Sequence, residues 1–205
     1  MKLNFFKPNR NRGIPNTEKI QQTEKYYNKI YSKPYPVEKY DKVYKIVCTF
    51  LEKNSNKDSL IMDIGCGAGG LATLIKDNGY KNYYGFDYSQ NAINQSKKRI
   101  PEWENRFFVH DCYKLSKLSI NFEIGIALEV LEHLEDLEIL NQLKPSQLFI
   151  GSVPNYWASN NAHLRIYPSK FFIWNRYRKK LSFLSWKKCK FKNGNFIYIF
   201  IAKVK

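Results

Sequence analysis

The sequence predicts an α/β fold of the doubly wound class, built on a mostly parallel, seven-stranded sheet with a C-terminal antiparallel hairpin. Short apolar runs alternate with segments of helical period between residues 59 and 153, and this alternation is typical of parallel strands with helices on both faces. A glycine-rich turn follows the first of these runs. Two longer apolar runs near the C-terminal end are joined through Asn193-Gly194, a turn typical of hairpins.

Two helices are predicted before the first strand. Thr17 is a suitable N-cap for a helix over residues 17–31, and the segment SKPYP ends it. Residues 37–53 repeat apolar side chains at a helical period. We expect residues 1–36 to form a basic arm and a lid helix, and residues 37–205 to form the main domain.

The remaining elements follow from apolar runs and the signals at their ends. Gly79 is placed to close one helix, Ser89 to cap the next and Pro101 to end it. The predicted strands cover residues 59–64, 83–86, 106–109, 122–128, 147–153, 181–191 and 196–204. The predicted helices cover residues 69–78, 89–100, 129–142 and 168–180. We expect the final hairpin to add an antiparallel edge strand.

Composition excludes several classes of protein. The chain has 205 residues, of which 43% are hydrophobic and 25% charged, enough for one domain with its own core. No apolar run approaches the ~18 residues of a membrane span, and the start MKLNFFKPNRNRGIPN lacks the apolar segment of a signal peptide. Cys48, Cys66, Cys112 and Cys189 have no CxxC spacing, so we expect reduced thiols and a cytoplasmic location.

Charge is unevenly distributed along the chain. There are 34 Lys and Arg against 18 Asp and Glu, a formal net charge of +16. Residues 155–205 contain 12 basic residues and no acidic residue, whereas residues 61–154 contain 9 basic and 12 acidic residues. Such a basic end can attract RNA or another polyanion. It is also typical of a solvated surface whose lysines block pairing at a sheet edge.

The most informative segment is LIMDIGCGAGG, residues 60–70. It combines a buried strand, an acid near the end of the strand and a glycine-rich turn into a helix. In a doubly wound sheet a nucleotide-like ligand lies at this turn, because glycines let the backbone approach it closely. The acid stands two residues before the first glycine, and no Lys-Ser/Thr pair follows, which excludes a P-loop.

Four motifs in order resemble those of the class I S-adenosylmethionine-dependent methyltransferases, across residues 58–155. They are DIGCGAG at 63–69, YGFDYS at 84–89, VHDC at 109–112 and IGIALEVLEHL at 124–134. The resemblance implies a Rossmann-like fold, S-adenosylmethionine as the cofactor and methyl transfer as the activity. Acidic strand ends suit a cationic sulfonium, and in-line transfer needs alignment and a proton acceptor rather than a covalent intermediate.

The resemblance also implies roles for individual residues. Asp87 would accept hydrogen bonds from the ribose hydroxyls, and Asp111 would accept one from the adenine amino group. His110 is expected beside the adenine. The cofactor-binding set is then Asp63, Gly65, Cys66, Gly67, Asp87, Tyr88, Asp111, Cys112 and Glu129.

Acceptor chemistry is expected around two histidines. A helix over residues 129–142 would bring Glu129, Glu132 and His133 to one face, and His163 follows the fifth predicted strand at the same mouth of the sheet. The leading hypothesis is that His133 and His163 are the catalytic acid/base and orienting groups. Aromatic side chains are expected to enclose the acceptor, from a lid before the main domain and from beside His163: Tyr26, Tyr27, Tyr31, Tyr35, Trp157 and Tyr167.

Two other interpretations stay open. The two glutamates and two histidines resemble the metal motif of small-RNA 3′-terminal ribose 2′-O-methyltransferases and of ubiquinone-pathway O-methyltransferases, although the stretch HLRIYPSKFF departs from the RNA enzymes. A divalent metal is therefore not favoured. In the third interpretation Glu129 contacts the methionine end of the donor, Glu132 is solvated and His133 packs against Pro154.

The predicted function is methyl transfer from S-adenosylmethionine to an oxygen or nitrogen of a small-molecule acceptor. An RNA methyltransferase of the ribose 2′-O type is the alternative, supported by the basic end of the chain. A non-catalytic nucleic-acid-binding protein on the same fold is a further alternative, although the intact acids and glycines disfavour it. No Asn-Pro-Pro-Tyr-like motif follows the fourth strand, which disfavours methylation of DNA bases. No oligomeric state is predicted.

Overall fold

A seven-stranded sheet forms the centre of the computed structural model, which describes residues 14–15, 21–157, 162–191 and 194–205. The strands are β1 Ile14–Pro15, β2 Ile61–Ile64, β3 Tyr83–Asp87, β4 Phe107–Val109, β5 Ile124–Leu128, β6 Leu148–Pro154, β7 Arg165–Ile166, β8 Leu181–Lys190 and β9 Phe196–Val204. In the order β4-β3-β2-β5-β6-β9-β8, the first five are parallel. β1 and β7 form a separate antiparallel pair. The predicted Rossmann-like α/β class is confirmed.

The antiparallel strand of the sheet is β9, and it lies inside the sheet. It pairs antiparallel with β6 on one side and with β8 on the other. β8 therefore runs parallel to β6 and forms the edge. The predicted hairpin and its antiparallel edge strand are confirmed. The later strand, β9, takes the inner place, because it pairs along the edge that β6 leaves open. Asn193 of the predicted turn lies outside the described residues.

Helices cover both faces of the sheet. They are α1 Glu24–Ile30, α2 Asp41–Asn54, α3 Gly70–Asp77, α4 Gln90–Arg99, α5 Asp136–Leu140 and α6 Lys170–Tyr177. Shorter 3₁₀ turns occur at Val37–Tyr40, Pro101–Arg106, Cys112–Lys117 and Leu131–His133. The strand order reverses between β2 and β5, and in this fold such a reversal opens a crevice at the carboxyl ends of the strands.

The core has two layers, one on each face of the sheet. Val47 of α2, Ile75 of α3 and Ile93 of α4 are at most 1% exposed on one face, and Leu140 of α5 and Ile173 of α6 are equally buried on the other. All four cysteines are free thiols. No helix in the described part of the chain is long and apolar enough to cross a membrane.

The end signals of the helices near the glycine-rich turn are confirmed. Gly79 follows α3 with a φ of 80°, a conformation that L side chains rarely adopt. Ser89 caps α4, because its hydroxyl accepts a hydrogen bond from the backbone N–H of Ala92 at 3.2 Å. Pro101 begins the 3₁₀ turn that follows α4.

The predicted lid helix begins later than expected. α1 begins at Glu24, and its N-cap is Thr23 rather than Thr17, which lies outside the described residues. Thr23 has the extended backbone of an N-cap, with φ −84° and ψ 165°, so the chain enters the helix there. The Asn28 side chain accepts from the hydroxyl of Ser89 at 2.7 Å and from the N–H of Asn91 at 3.2 Å, which ties α1 to the start of α4.

Candidate active site

A cavity of about 510 Å³ lies at the carboxyl ends of β2 to β6, beneath α1. All eleven residues predicted for the site line it: Asp63, Gly65, Cys66, Gly67, Asp87, Tyr88, Asp111, Cys112, Glu129, His133 and His163. The first eight come from the ends of β2, β3 and β4, and we call this the donor half. The other three come from the ends of β5 and β6 and the segment that follows, and we call this the acceptor half.

The glycine-rich turn after β2 forms the floor of the donor half. Gly65 and Gly67 have φ values of 75° and 54°, which favour glycine. A Cβ on Gly67 would lie 2.9 Å from the hydroxyl of Tyr31, the residue after α1, so that side chain would have to move. The N–H of Gly67 donates to Asp87 Oδ2 at 3.0 Å, which fixes the turn to the end of β3.

Asp87 stands at the centre of the donor half. Its Oδ1 accepts the N–H of Ser89 at 2.9 Å, in addition to the bond from Gly67 to Oδ2. Burial raises its pKa to about 6, and hydrogen bonds from the backbone, first those of Ser89 and Gly67, oppose that rise. Since a carboxylate offers about four lone-pair sites, both oxygens can still accept hydroxyl donors from a sugar.

Asp63 lies near the carboxyl end of β2 and is 3% exposed. Burial raises its pKa to about 7, while a hydrogen bond from the hydroxyl of Tyr83 to Oδ2 at 2.8 Å opposes the rise. Asp111 sits at the end of β4, where its Oδ1 accepts the N–H of Tyr113 at 3.0 Å and begins a 3₁₀ turn. The ring of His110 lies edge-on to Phe86 and lines the cavity.

The segment after β5 is not the predicted helix of residues 129–142. Glu129 has a φ of 55°, and a 3₁₀ turn at Leu131–His133 precedes the short helix α5. A left-handed residue cannot continue a helix, so the expectation that Glu129, Glu132 and His133 share one helical face is wrong. The turn is held instead by Ser152 of β6, which donates to Glu129 Oε1 at 2.8 Å and accepts the Glu129 N–H at 2.9 Å.

The two predicted catalytic histidines meet in the cavity. Their ring centroids are 4.9 Å apart, in an edge-to-face arrangement. His133 Nδ1 lies 2.9 Å from the carbonyl oxygen of Ala162, which assigns its proton to Nδ1 and leaves a lone pair on Nε2. Burial, together with the smaller effect of the neighbouring His163, lowers the pKa of His133 to about 4, so the imidazole is neutral at pH 7.

Glu132 lines the cavity beside His133 and is fully buried. Neither carboxylate oxygen has a hydrogen-bond partner among the described residues, and the nearer one is 4.0 Å from His133 Nε2. Burial raises its pKa well above the usual range. The burial of Glu132 contradicts the interpretation in which this residue is solvated. The aromatic neighbours of His133 are the rings of His163 and Tyr27.

Three of the four residues of the predicted metal motif come together. Glu132, His133 and His163 each offer one ligand atom, and these atoms lie within 4.8 Å of one another. A buried carboxylate without a partner beside two imidazoles has the donor set of a divalent cation site. Glu129 does not belong to this group, because its carboxylate is turned to Ser152.

The segment 162–165 is bonded to the turn that carries Glu132 and His133. The N–H of Leu164 donates to the carbonyl of Glu132 at 2.7 Å, and the Arg165 guanidinium donates to the carbonyls of Leu131 and Leu134. Arg165 also pairs with the carboxylate of Asp136 at 3.3 Å. The sequence HLR therefore supplies both a site histidine and the arginine that fixes the opposite turn.

Asp136, the first residue of α5, links this turn to β7 and α6. It is fully buried, and its carboxylate accepts hydrogen bonds from the hydroxyls of Tyr167 and Tyr177 and from the guanidinium of Arg176. These partners hold its pKa below the usual range despite burial. Tyr167, predicted beside His163, is instead part of this network, because its hydroxyl is taken by Asp136.

Tyrosines form much of the cavity wall. Tyr27, Tyr31 and Tyr35 line it from the lid side, as predicted, and Tyr40 and Tyr44 line it from the start of α2. From the helical period of residues 37–53, Tyr40 and Tyr44 were expected only as part of the apolar face of a helix. Tyr156, which the sequence did not single out, packs against His163 with ring centroids 5.9 Å apart. The signal that could have identified Tyr156 is its position two residues after Pro154, the last residue of β6.

Comparisons with known proteins agree with this geometry. Residues 62–143 match the family model described as a methyltransferase domain. A curated relative, the mRNA cap guanine-N(7) methyltransferase of Schizosaccharomyces pombe, is 26% identical over 129 residues, which are 54% of this chain. The match spans only 36% of that protein's length.

Solved structures show the same fold at low sequence identity. The N-methyltransferase NodS from Bradyrhizobium japonicum WM9, in complex with S-adenosylhomocysteine, superposes with a TM-score of 0.68 at 15% identity and covers 88% of this chain and 97% of its own. Magnesium protoporphyrin IX methyltransferase from Synechocystis PCC 6803, with bound S-adenosylmethionine, gives 0.64 at 18% identity, covering 90% and 92%.

Proposed function

We propose that this chain, which carries a class I S-adenosylmethionine-dependent methyltransferase domain, transfers a methyl group from S-adenosylmethionine to an oxygen or nitrogen of a small-molecule acceptor. One observation carries the proposal: a single cavity joins the glycine-rich turn and strand-end acids to a pair of histidines. Its enclosure by Tyr27 of α1 and by Tyr31 and Tyr35 after α1 supports a small acceptor. The thiols support a cytoplasmic location.

The donor half would hold the cofactor through its acids. Asp87 would accept the ribose hydroxyls on the oxygens that already fix Gly67 and Ser89. Asp111 would accept a hydrogen bond from the adenine amino group beside His110. From the acceptor half, Glu129 would meet the methionine end. Because the sulfonium is cationic, the carboxylates and tyrosine rings around it would favour the donor over its neutral product.

The acceptor half would handle the proton that leaves the acceptor. In-line transfer requires the acceptor atom, the methyl carbon and the sulfur to be aligned, and enclosure of the cavity serves that alignment. Neutral His133, with its Nε2 lone pair, would take the acceptor's proton. His163 would orient the acceptor from the other side.

A second candidate is methyl transfer to a hydroxyl of RNA with the help of a divalent ion. The cluster of Glu132, His133 and His163 favours it, since Glu132 has no hydrogen-bond partner among the described residues. These three side chains would hold the ion, which when bound would polarise the acceptor hydroxyl. The basic segment 155–205 and the similarity to a cap methyltransferase favour RNA as the acceptor.

The first experiment is mass spectrometry of ligands that co-purify with the protein, followed by assays of S-adenosylhomocysteine release. Metabolite pools and RNA are supplied separately, with and without a chelator. Turnover with metabolites that survives the chelator supports the first proposal. Turnover that needs RNA and a divalent ion supports the second, and RNA binding should then weaken steeply with salt. No binding of the donor would overturn both.

A further inference from the structure

The buried carboxylate of Asp63 accepts a hydrogen bond from the hydroxyl of Tyr83 on the neighbouring strand β3. In the parallel pair β2–β3, Asp63 stands opposite Gly85, and Tyr83 lies two residues before Gly85 on the same face. The Tyr83 side chain extends along β3 and donates to Asp63 Oδ2 at 2.8 Å. Neither residue is more than 3% exposed.

Gly85 leaves the space through which this hydroxyl passes. A Cβ on Gly85 would lie 2.6 Å from the hydroxyl oxygen of Tyr83 and 3.1 Å from Cys66 Sγ. The Tyr83 ring is itself fixed, since it stacks on Trp103 at a centroid distance of 5.3 Å and meets Phe107 edge-on. The hydroxyl is therefore held in one place by packing rather than by further hydrogen bonds.

The other oxygen of Asp63 is available to a ligand. Among the described residues Oδ1 has no hydrogen-bond partner, and the residue lines the cavity beside the glycine-rich turn. The other acids of the donor half already have other parts of the ligand in the proposed function, the ribose hydroxyls for Asp87 and the adenine amino group for Asp111. The ligand of the donor half has one ammonium group, at its amino-acid end, and needs a carboxylate for it.

We infer that Tyr83 is a positioning residue that holds the Asp63 carboxylate in place for the ammonium group of the donor. The inference rests on the proposed function, which supplies the donor. By binding Oδ2, Tyr83 turns Oδ1 to the cavity and stabilises the ionised carboxylate against the cost of burial. The ionisable groups around Asp63 are Tyr83 and Asp87 of β3, Cys66 of the turn and Tyr44 of α2. None of these is a cation.

The test compares two ligands by titration calorimetry: S-adenosylhomocysteine, which has the ammonium group, and 5′-methylthioadenosine, which lacks the amino-acid end. In Tyr83→Phe the ring packing is kept and the hydroxyl is lost. We expect the affinity for S-adenosylhomocysteine at pH 7 to fall at least five-fold and that for 5′-methylthioadenosine to change less than two-fold. The pH dependence of S-adenosylhomocysteine binding should move to higher pH, because Asp63 then ionises later.

Tyr80→Phe is the matched control. Tyr80 is equally buried, but its hydroxyl lies 3.3 Å from Ser55 Oγ, away from the cavity, so both affinities should stay unchanged. Gly85→Ala displaces the Tyr83 hydroxyl by another route and should repeat the selective loss. Equal loss of both ligands, or no loss, in Tyr83→Phe overturns the inference while leaving the proposed function intact. Failure of the wild type to bind S-adenosylhomocysteine overturns the proposed function, and the inference with it.

Discussion

The donor half and the acceptor half of the cavity are built by different kinds of contact. In the donor half, backbone N–H groups of Gly67 and Ser89 fix Asp87, so the geometry follows from a strand, a turn and a helix. In the acceptor half, side chains contribute more of the contacts: Ser152 holds Glu129, and Arg165 holds the turn of His133 beside one backbone bond from Leu164. Backbone geometry tolerates changes of sequence, whereas side-chain contacts change with each substitution. The acceptor half is thus the part in which specificity can vary on a constant fold.

The largest expected difference between the two halves is a loss of turnover without a loss of donor affinity when a histidine is replaced. If His133 or His163 handles the acceptor's proton, its Ala variant should lose turnover by ~10²–10⁴-fold. Affinity for S-adenosylhomocysteine should stay unchanged, because neither ring supports the donor half. Single-turnover kinetics with an identified acceptor and calorimetry provide the two measurements. Full turnover in both variants would contradict the assignment.

The second prediction tests whether side chains hold the acceptor half together. Asp136→Ala leaves Arg176 and Arg165 without their buried carboxylate, and losing one partner of such a pair costs about 3–5 kcal/mol. We expect that decrease in the free energy of unfolding, measured with denaturant. Glu138→Ala, an exposed acid on the same helix, is the control and should change stability by less than about 0.5 kcal/mol. An equal change in the free energy of unfolding in both variants would show that the network around Asp136 does not stabilise the fold.

The third prediction concerns the donor half alone. Asp87→Asn keeps the size of the side chain but removes the charge that would bind the ribose hydroxyls. Charge-assisted hydrogen bonds contribute about 1.5–3 kcal/mol, so donor affinity should fall ten-fold or more. Calorimetry with S-adenosylmethionine measures it, and the exposed Asp77→Asn on α3 is the control. Unchanged affinity in Asp87→Asn would remove the ribose role.

The smallest expected effect concerns stability and pH. The pKa of Asp63 is raised from 3.8 to about 7 in the folded protein, so between these values the native state keeps a proton that the unfolded state has lost. Stability contributed by this group therefore falls as pH rises through that window. Without ligand, Asp63→Asn should raise the midpoint of thermal unfolding by a few degrees at pH 8, with the gain shrinking towards pH 5. An equal rise in the unfolding midpoint at pH 8 and pH 5 would contradict the raised pKa of Asp63.

The same contrast explains which parts the sequence predicts. In the donor half every signal is local: Ser89 caps α4, and glycines mark the turn, so elements and site residues are found together. After β5 the pattern of Val130, Leu131 and Leu134 also has a helical period, yet only a 3₁₀ turn forms there and not the predicted α-helix. What fixes that turn comes from residues 162–165, some thirty positions away, and no local pattern contains it. The meeting of His133 and His163 was nevertheless expected, because it depends only on two strands ending at one edge.

The position of β9 between β6 and β8 affects the order in which the protein can be completed during synthesis. Every other strand of the sheet precedes β9 in the chain, yet β9 fills an inner place. Until it leaves the ribosome, β6 presents an unpaired edge and the residues that face β9 are uncovered. The nascent chain therefore passes through a stage with an open, apolar sheet edge, the condition under which strands of different chains associate. Slowing translation before residue 196 should prolong that stage.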